Sequence, residues 1–144
     1  MSILSDRDIK KYAEKNELIA VGFEEKYLTP NGYDLRVDRV LNRLGDTAFS
    51  IMSLEYLKIP KNMVASLYLK SRYCRVGVWG SFGFIDAGFE GKLQWSVFGI
   101  ELEEMTKLVE KHMPMVQVVF ESLGGNVEKS YAERSGSFQY FTIP

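Results

Sequence analysis

The chain has little of what several common chemistries require. A single cysteine, Cys74, rules out an internal disulfide framework, and one cysteine with one histidine, His112, cannot furnish a zinc site built from those side chains. No G-x-x-x-x-G-K-[ST] phosphate loop and no G-x-G-x-x-G dinucleotide fingerprint occurs. His112 stands apart from any G-x-S-x-G elbow, so a nucleophile triad has no support, and the residue reads as surface or structural. No apolar run approaches the roughly 18 residues of a membrane span. The opening "MSILSDRDIKK" turns polar within five residues, so no targeting segment is expected. A formal net charge of -1 and a pI near 5.9 leave no basic field to hold polymeric nucleic acid. These absences together fit a cytoplasmic protein.

What is present is globular. With 144 residues, 46% of them hydrophobic, the chain can build one respectable core, because a domain of this size buries roughly two thirds of its unfolded surface. No internal repeat, low-complexity tract or linker divides it, so residues 1–144 are expected to form a single domain.

Ser5 can cap a short helix over "SDRDIKKYAEKN", with Ile9, Tyr12 and Ala13 on one face. From "LTPNGYDLRV" onward, short β-branched and aromatic runs alternate with Gly, Pro and Asn signals about every ten residues, the texture of an antiparallel sandwich or jelly roll. Strands are expected at Asp34–Val40, Ala48–Leu54, Met63–Lys70, Val76–Phe84, Lys92–Phe98, Lys107–Lys111 and Met115–Glu121. "ELEEMTKLVEKHM" carries both a helical stripe and a strand-like alternation. The strand reading is preferred, because a helix would have to stop abruptly before Pro114.

The chemistry-bearing residues gather at strand ends. "PNGYDLRV" sets Asp34 and Arg36 just after a turn, "LKSRYCR" collects Lys70, Ser71, Arg72 and Arg75, and "IDAGFEG" supplies Asp86 and Glu90. The cationic cluster reads either as donors for phosphate oxygens or as a charged edge strand guarded against aggregation. Asp86 reads locally as a turn residue whose carboxylate caps the amides of Ala87 or Gly88; a site acid is the other reading.

Taken in order, these stretches resemble the trimeric dUTPases and dCTP deaminases, most closely the archaeal dUTPase branch. "LTPNGYDLRV" is similar to the first motif of that family, and "LKIPKNMVASLYLKSRYCRVGVWGSFGFIDAGFEGKL" to its second and third motifs in one block. The resemblance implies an all-β distorted jelly roll with a short N-terminal helix, assembled as a homotrimer whose sites are shared between subunits. It also implies hydrolysis of dUTP to dUMP and pyrophosphate, with Asp86 activating the water that attacks the α-phosphorus.

By the same resemblance Phe89 lies under the deoxyribose, the backbone of the hairpin from Gly83 to Leu93, which includes the substrate contacts Phe84 and Ile85, reads the uracil edge, and Ser71, Arg75 and Gln117 contact phosphates beside Arg72. Asp34 helps hold the water shell of a Mg²⁺ ion on the triphosphate. Phe138 and Gln139, in "ERSGSFQYFTIP", stand where the family has a closing arm. In the deaminase branch a glutamate activates the water. Ser96, at the end of "GKLQWS", stands at that glutamate's position, which disfavours dCTP deamination because a serine hydroxyl is a poor proton shuttle.

Three departures are visible: Lys70-Ser71-Arg72 in place of Arg-Ser-Ser or Arg-Ser-Gly, a loose C-terminal motif, and Pro114 where a basic residue is usual. They leave open a non-catalytic nucleotide-binding paralogue as the alternative.

Overall fold

The computed structural model describes residues 2–140; residues 141–144, the end of the "ERSGSFQYFTIP" stretch, lie outside them. Helix α1 (Asp6–Glu14) starts as expected, with the Ser5 hydroxyl accepting the Asp8 amide at 3.3 Å. Its one buried side chain, Ile9, anchors it to the core.

Among the described residues, eight strands share a sheet: β1 (Leu18–Val21), β2 (Leu28–Thr29), β3 (Gly32–Gly45), β4 (Ala48–Lys58), β5 (Met63–Leu69), β6 (Trp79–Ser81), β7 (Glu90–Phe98) and β8 (Pro114–Ser122). The main order is β5-β8-β3-β4-β7-β6, with β1 pairing to β4 and β2 to β3, every pair antiparallel. The fold is all-β, as the sequence reading expects. Alternation along β3 turns Tyr33, Leu35 and Val37 into the core, and along β7 it does the same with Leu93, Trp95 and Val97. The opposite faces carry Asp34, Arg36 and Asp38, and Lys92, Gln94 and Ser96.

The two ends of this sheet approach one another. Ala65 of β5 and Ile85, four residues beyond β6, exchange both backbone hydrogen bonds at 3.1 Å, so the sheet nearly closes on itself. Asp86 is the next residue after that seam.

Two expectations are corrected. Lys107–Lys111 is not a strand but the last turn and C-cap of helix α3 (Leu102–Glu110), which buries Met105 and Leu108. The abrupt stop before Pro114 does occur: His112 takes φ +45°, and the Met113 amide returns to the Leu108 carbonyl at 3.0 Å. The expected strand Val76–Phe84 shortens to β6. Its beginning is a turn with Gly77 at positive φ, which follows a single helical turn, α2 (Ser71–Cys74), so the charged edge-strand reading of Lys70 to Arg75 fails as well. At Gly80 a Cβ would stand 2.3 Å from the Phe82 ring, which folds back over β6 and ends it.

Candidate active site

Asp86 opens a tight turn. Its backbone carbonyl accepts the Phe89 amide at 3.1 Å, and Gly88, third in the turn, has φ +85°, the signature of a type II turn. Gly88 is also required by space, because a Cβ there would lie 2.8 Å from the Ser130 Cβ. The turn is therefore closed by backbone, and the Asp86 carboxylate has no hydrogen bond or ion pair among the described residues. It is not the amide cap of the local reading.

That carboxylate opens onto a cavity of about 560 Å³. Phe84, Ile85, Phe89 and Trp95 contribute apolar wall, while Ser81, Gln94 and Ser96 contribute neutral polar groups. Gln94 is tethered through its Nε2, which donates to the buried Ser50 hydroxyl at 2.9 Å. Lys92 also borders the cavity but is drawn aside, its Nζ 3.3 Å from Asp38 Oδ2. Burial opposes ionisation of Asp38, but hydrogen bonds from Arg39 and Lys92 outweigh it and hold the carboxyl below its ordinary value.

The C-terminal segment covers the mouth. Helix α4 (Tyr131–Arg134) begins with a full capping box, Ser130 and Glu133 bonding each other's backbone and side chains. Those bonds from Ser130, with the Lys61 charge, lower the Glu133 carboxyl. The Tyr131 amide donates to the Ala87 carbonyl at 2.9 Å, and its ring meets Phe89 edge-on. Gln139 binds the outer side of the turn, Oε1 accepting the Glu90 amide at 3.1 Å and Nε2 donating to the Gly88 carbonyl at 3.3 Å. Phe138 borders the cavity beside Tyr131.

A second polar group forms elsewhere on the chain. The β3–β8 register sets Asp34 opposite Gln117, whose Nε2 donates to the Thr29 hydroxyl at 2.6 Å. Lys70 Nζ is ion-paired with Asp34 Oδ2. Directly after Lys70, Ser71 and Arg75 stand one helical turn apart, the Ser71 carbonyl accepting the Arg75 amide at 2.9 Å.

Of the residues singled out in the sequence, Phe84, Ile85, Asp86, Phe89 and Phe138 thus meet at one cavity. Asp34, Ser71, Arg75 and Gln117 do not line it; they belong to the second group. Arg72 belongs to neither: it borders a shallow groove with Glu101 and Glu104, its guanidinium 5.1 Å from the Tyr73 ring centroid. Gln139 binds the turn rather than the cavity interior. The sequence reading missed Tyr131 and the helix that carries it, although "SYAE" is the S-x-x-E capping-box pattern. No group of three or more His, Cys, Asp or Glu that could hold a metal ion exists among the described residues.

Comparison with known proteins gives four findings. Residues 47–123 match the dCTP deaminase-like family. The dCTP deaminase of Thermococcus sibiricus is 31% identical over 138 residues, covering 84% of this chain and 83% of that one. A probable deoxyuridine 5'-triphosphate nucleotidohydrolase of Sulfolobus islandicus rod-shaped virus 1 is 28% identical over 152 residues, covering 95% and 92%. Among solved structures, a 2'-deoxycytidine 5'-triphosphate deaminase from Agrobacterium tumefaciens shares the fold, with a TM-score of 0.63 at 17% identity over 83% of this chain and 48% of that chain.

Proposed function

The chain belongs to the dCTP deaminase-like family, within the superfamily of dUTPases and dCTP deaminases, and from that premise we propose that it hydrolyses dUTP to dUMP and pyrophosphate. One observation carries the reading: the cavity presents an unengaged carboxylate, Asp86, and a serine, Ser96, where the deaminases have their water-activating glutamate. Asp86 takes a proton from a water in the cavity, the water oxygen bonds to the α-phosphorus, and the bond from that phosphorus to the bridging oxygen breaks, releasing pyrophosphate. General-base help of this kind is worth roughly 10²- to 10⁴-fold. Phe89 and Phe84 pack against sugar and base, and the neutral polar groups of Ser81, Gln94 and Ser96 suit an uncharged base.

A triphosphate needs cationic donors, and the cavity borders only on Lys92, which is already paired. Arg75 supplies a cationic donor from outside it, with Ser71 and Gln117 adding neutral hydrogen-bonding groups. The reading therefore includes a homotrimer in which one subunit's phosphate-binding group completes a neighbour's cavity. A cytoplasmic nucleotide pool is the matching substrate source. No helix among the described residues is long and apolar enough to cross a membrane.

The implied magnesium fits poorly at the residue assigned to it. Asp34 is already ion-paired, and among the described residues no cluster of metal-binding side chains accompanies it.

Deamination of dCTP is the second reading, supported by the names of the relatives. Incubation of the purified protein with dUTP and, separately, with dCTP tests both. dUMP with pyrophosphate from dUTP is expected; ammonia and dUTP from dCTP would overturn the hydrolase reading, and intact nucleotides in both would favour a binding protein.

A further inference from the structure

The resemblance places a metal ion's water shell on Asp34, yet this carboxylate is matched by a cation of its own chain. Lys70 is held at a fixed point: its amide donates to the Met115 carbonyl at 3.0 Å, and its carbonyl accepts the Tyr73 amide at 3.0 Å. From there its ammonium reaches Asp34, and the two side chains are only 27% and 14% exposed, so solvent and salt screen the pair weakly.

An unpaired carboxylate at this place would repel incoming phosphates and attract a hydrated cation. Paired with Lys70 it is neutral, so the group no longer repels phosphate. A lysine ammonium carries three donors. One goes to Asp34, and among the described residues Lys70 has no other side-chain partner, so two N–H groups remain for phosphate oxygens. The arginine of the resembling motif spreads its charge over a planar fork, whereas lysine concentrates it at one atom.

We propose that Lys70 balances charge at Asp34 in place of a divalent ion, so that this chain binds a deoxynucleoside triphosphate with little dependence on magnesium. The inference rests on the nucleotide reading above, with the triphosphate at the Asp34–Ser71–Gln117 group.

The test is calorimetric binding of α,β-imido-dUTP, which is not hydrolysed, in magnesium and in EDTA, using wild type, Lys70→Gln and Asp34→Asn. For the wild type, affinities within about threefold of each other are expected, while Lys70→Gln should need magnesium by about tenfold or more, a typical coupling between two ligands. Asp34→Asn, which keeps the ammonium, should bind without metal at least as well as wild type, and it decides the matter if Lys70→Gln fails to fold. Equal tenfold magnesium effects in wild type and Lys70→Gln, or a wild-type magnesium effect that vanishes in Asp34→Asn, would overturn the proposal while leaving the nucleotide reading intact. Absence of wild-type binding in both buffers would overturn the nucleotide reading, and this inference with it.

Discussion

Phe89 and Tyr131 meet edge to face, with ring centroids 5.5 Å apart and planes at 71°. Forty-two residues of chain separate them, and the contact fastens the C-terminal cover to the turn that carries Asp86. Phe89 is almost fully buried, so it belongs to the core as much as to the cavity. Phe89→Ala would remove core volume at about 3 kcal/mol and confound any change in binding. Tyr131→Ala is the cleaner probe: it should cost about 1 kcal/mol of ring contact, and limited proteolysis should cut more readily between residues 123 and 140. An unchanged cleavage rate would show that the backbone bonds hold the cover unaided.

Gly88→Ala combines two penalties, a positive φ and a 2.8 Å approach to the Ser130 Cβ. The φ alone costs roughly 1–2 kcal/mol, and the clash pushes the cover outward. The expected result is a lower Tm together with faster proteolysis of the C-terminal segment. A lower Tm with the cover still protected would place the strain in the turn alone.

The all-β class, the N-terminal helix and most strands were legible because alternation such as Tyr33-Asp34-Leu35-Arg36-Val37 admits one burial pattern. Helix α3 was misread because the reading gave Pro114 authority over the whole stretch, while two residues, His112 at positive φ and Met113, suffice to end a helix. Asp86 was legible only through motif order, since turn statistics describe its backbone and not where its carboxylate opens. The split of the predicted phosphate contacts from the cavity could not be read at all: spacing along a chain does not say which strand faces which. The Lys70–Asp34 pair spans 36 residues and two strands, and no local pattern announces it.

Glu55 tests what holds β3 in place. It is fully buried, with Oε2 2.8 Å from Arg36 Nε and Oε1 accepting the Arg36 amide at 2.9 Å. Burial pushes its carboxyl up, against the pull of Arg36. Glu55→Gln keeps the shape but leaves the guanidinium without its buried counter-charge, which should cost about 3 kcal/mol. Urea unfolding measures this, and a loss below about 1 kcal/mol would show that Glu24 and the Gly22 carbonyl satisfy Arg36 by themselves.

Asp38 gives a pH dependence with a definite sign. Its folded-state pKa lies below its ordinary value of 3.8. As pH falls, the unfolded chain therefore takes up the proton first; the stabilisation is whole above the unfolded value and is lost as pH drops through the folded one. The stability difference between wild type and Asp38→Asn should shrink over the window that opens at about pH 4 and runs down through the lower folded-state value. A difference that stays constant over that window would mean that Asp38 acts through packing and not through charge.

Asp86→Asn separates the chemistry from the fold more sharply than any other change. The carboxylate has no hydrogen bond or ion pair among the described residues, and the turn is closed by the Asp86 carbonyl, which the substitution keeps. Stability should therefore change by less than about 0.5 kcal/mol, the range of a surface substitution, and α,β-imido-dUTP should bind nearly as before. The amide cannot accept the water's proton, so turnover of dUTP should fall by about 10²- to 10⁴-fold. Retained turnover would assign the base to another group and remove Asp86 from the reaction, while lost binding would make it a substrate contact.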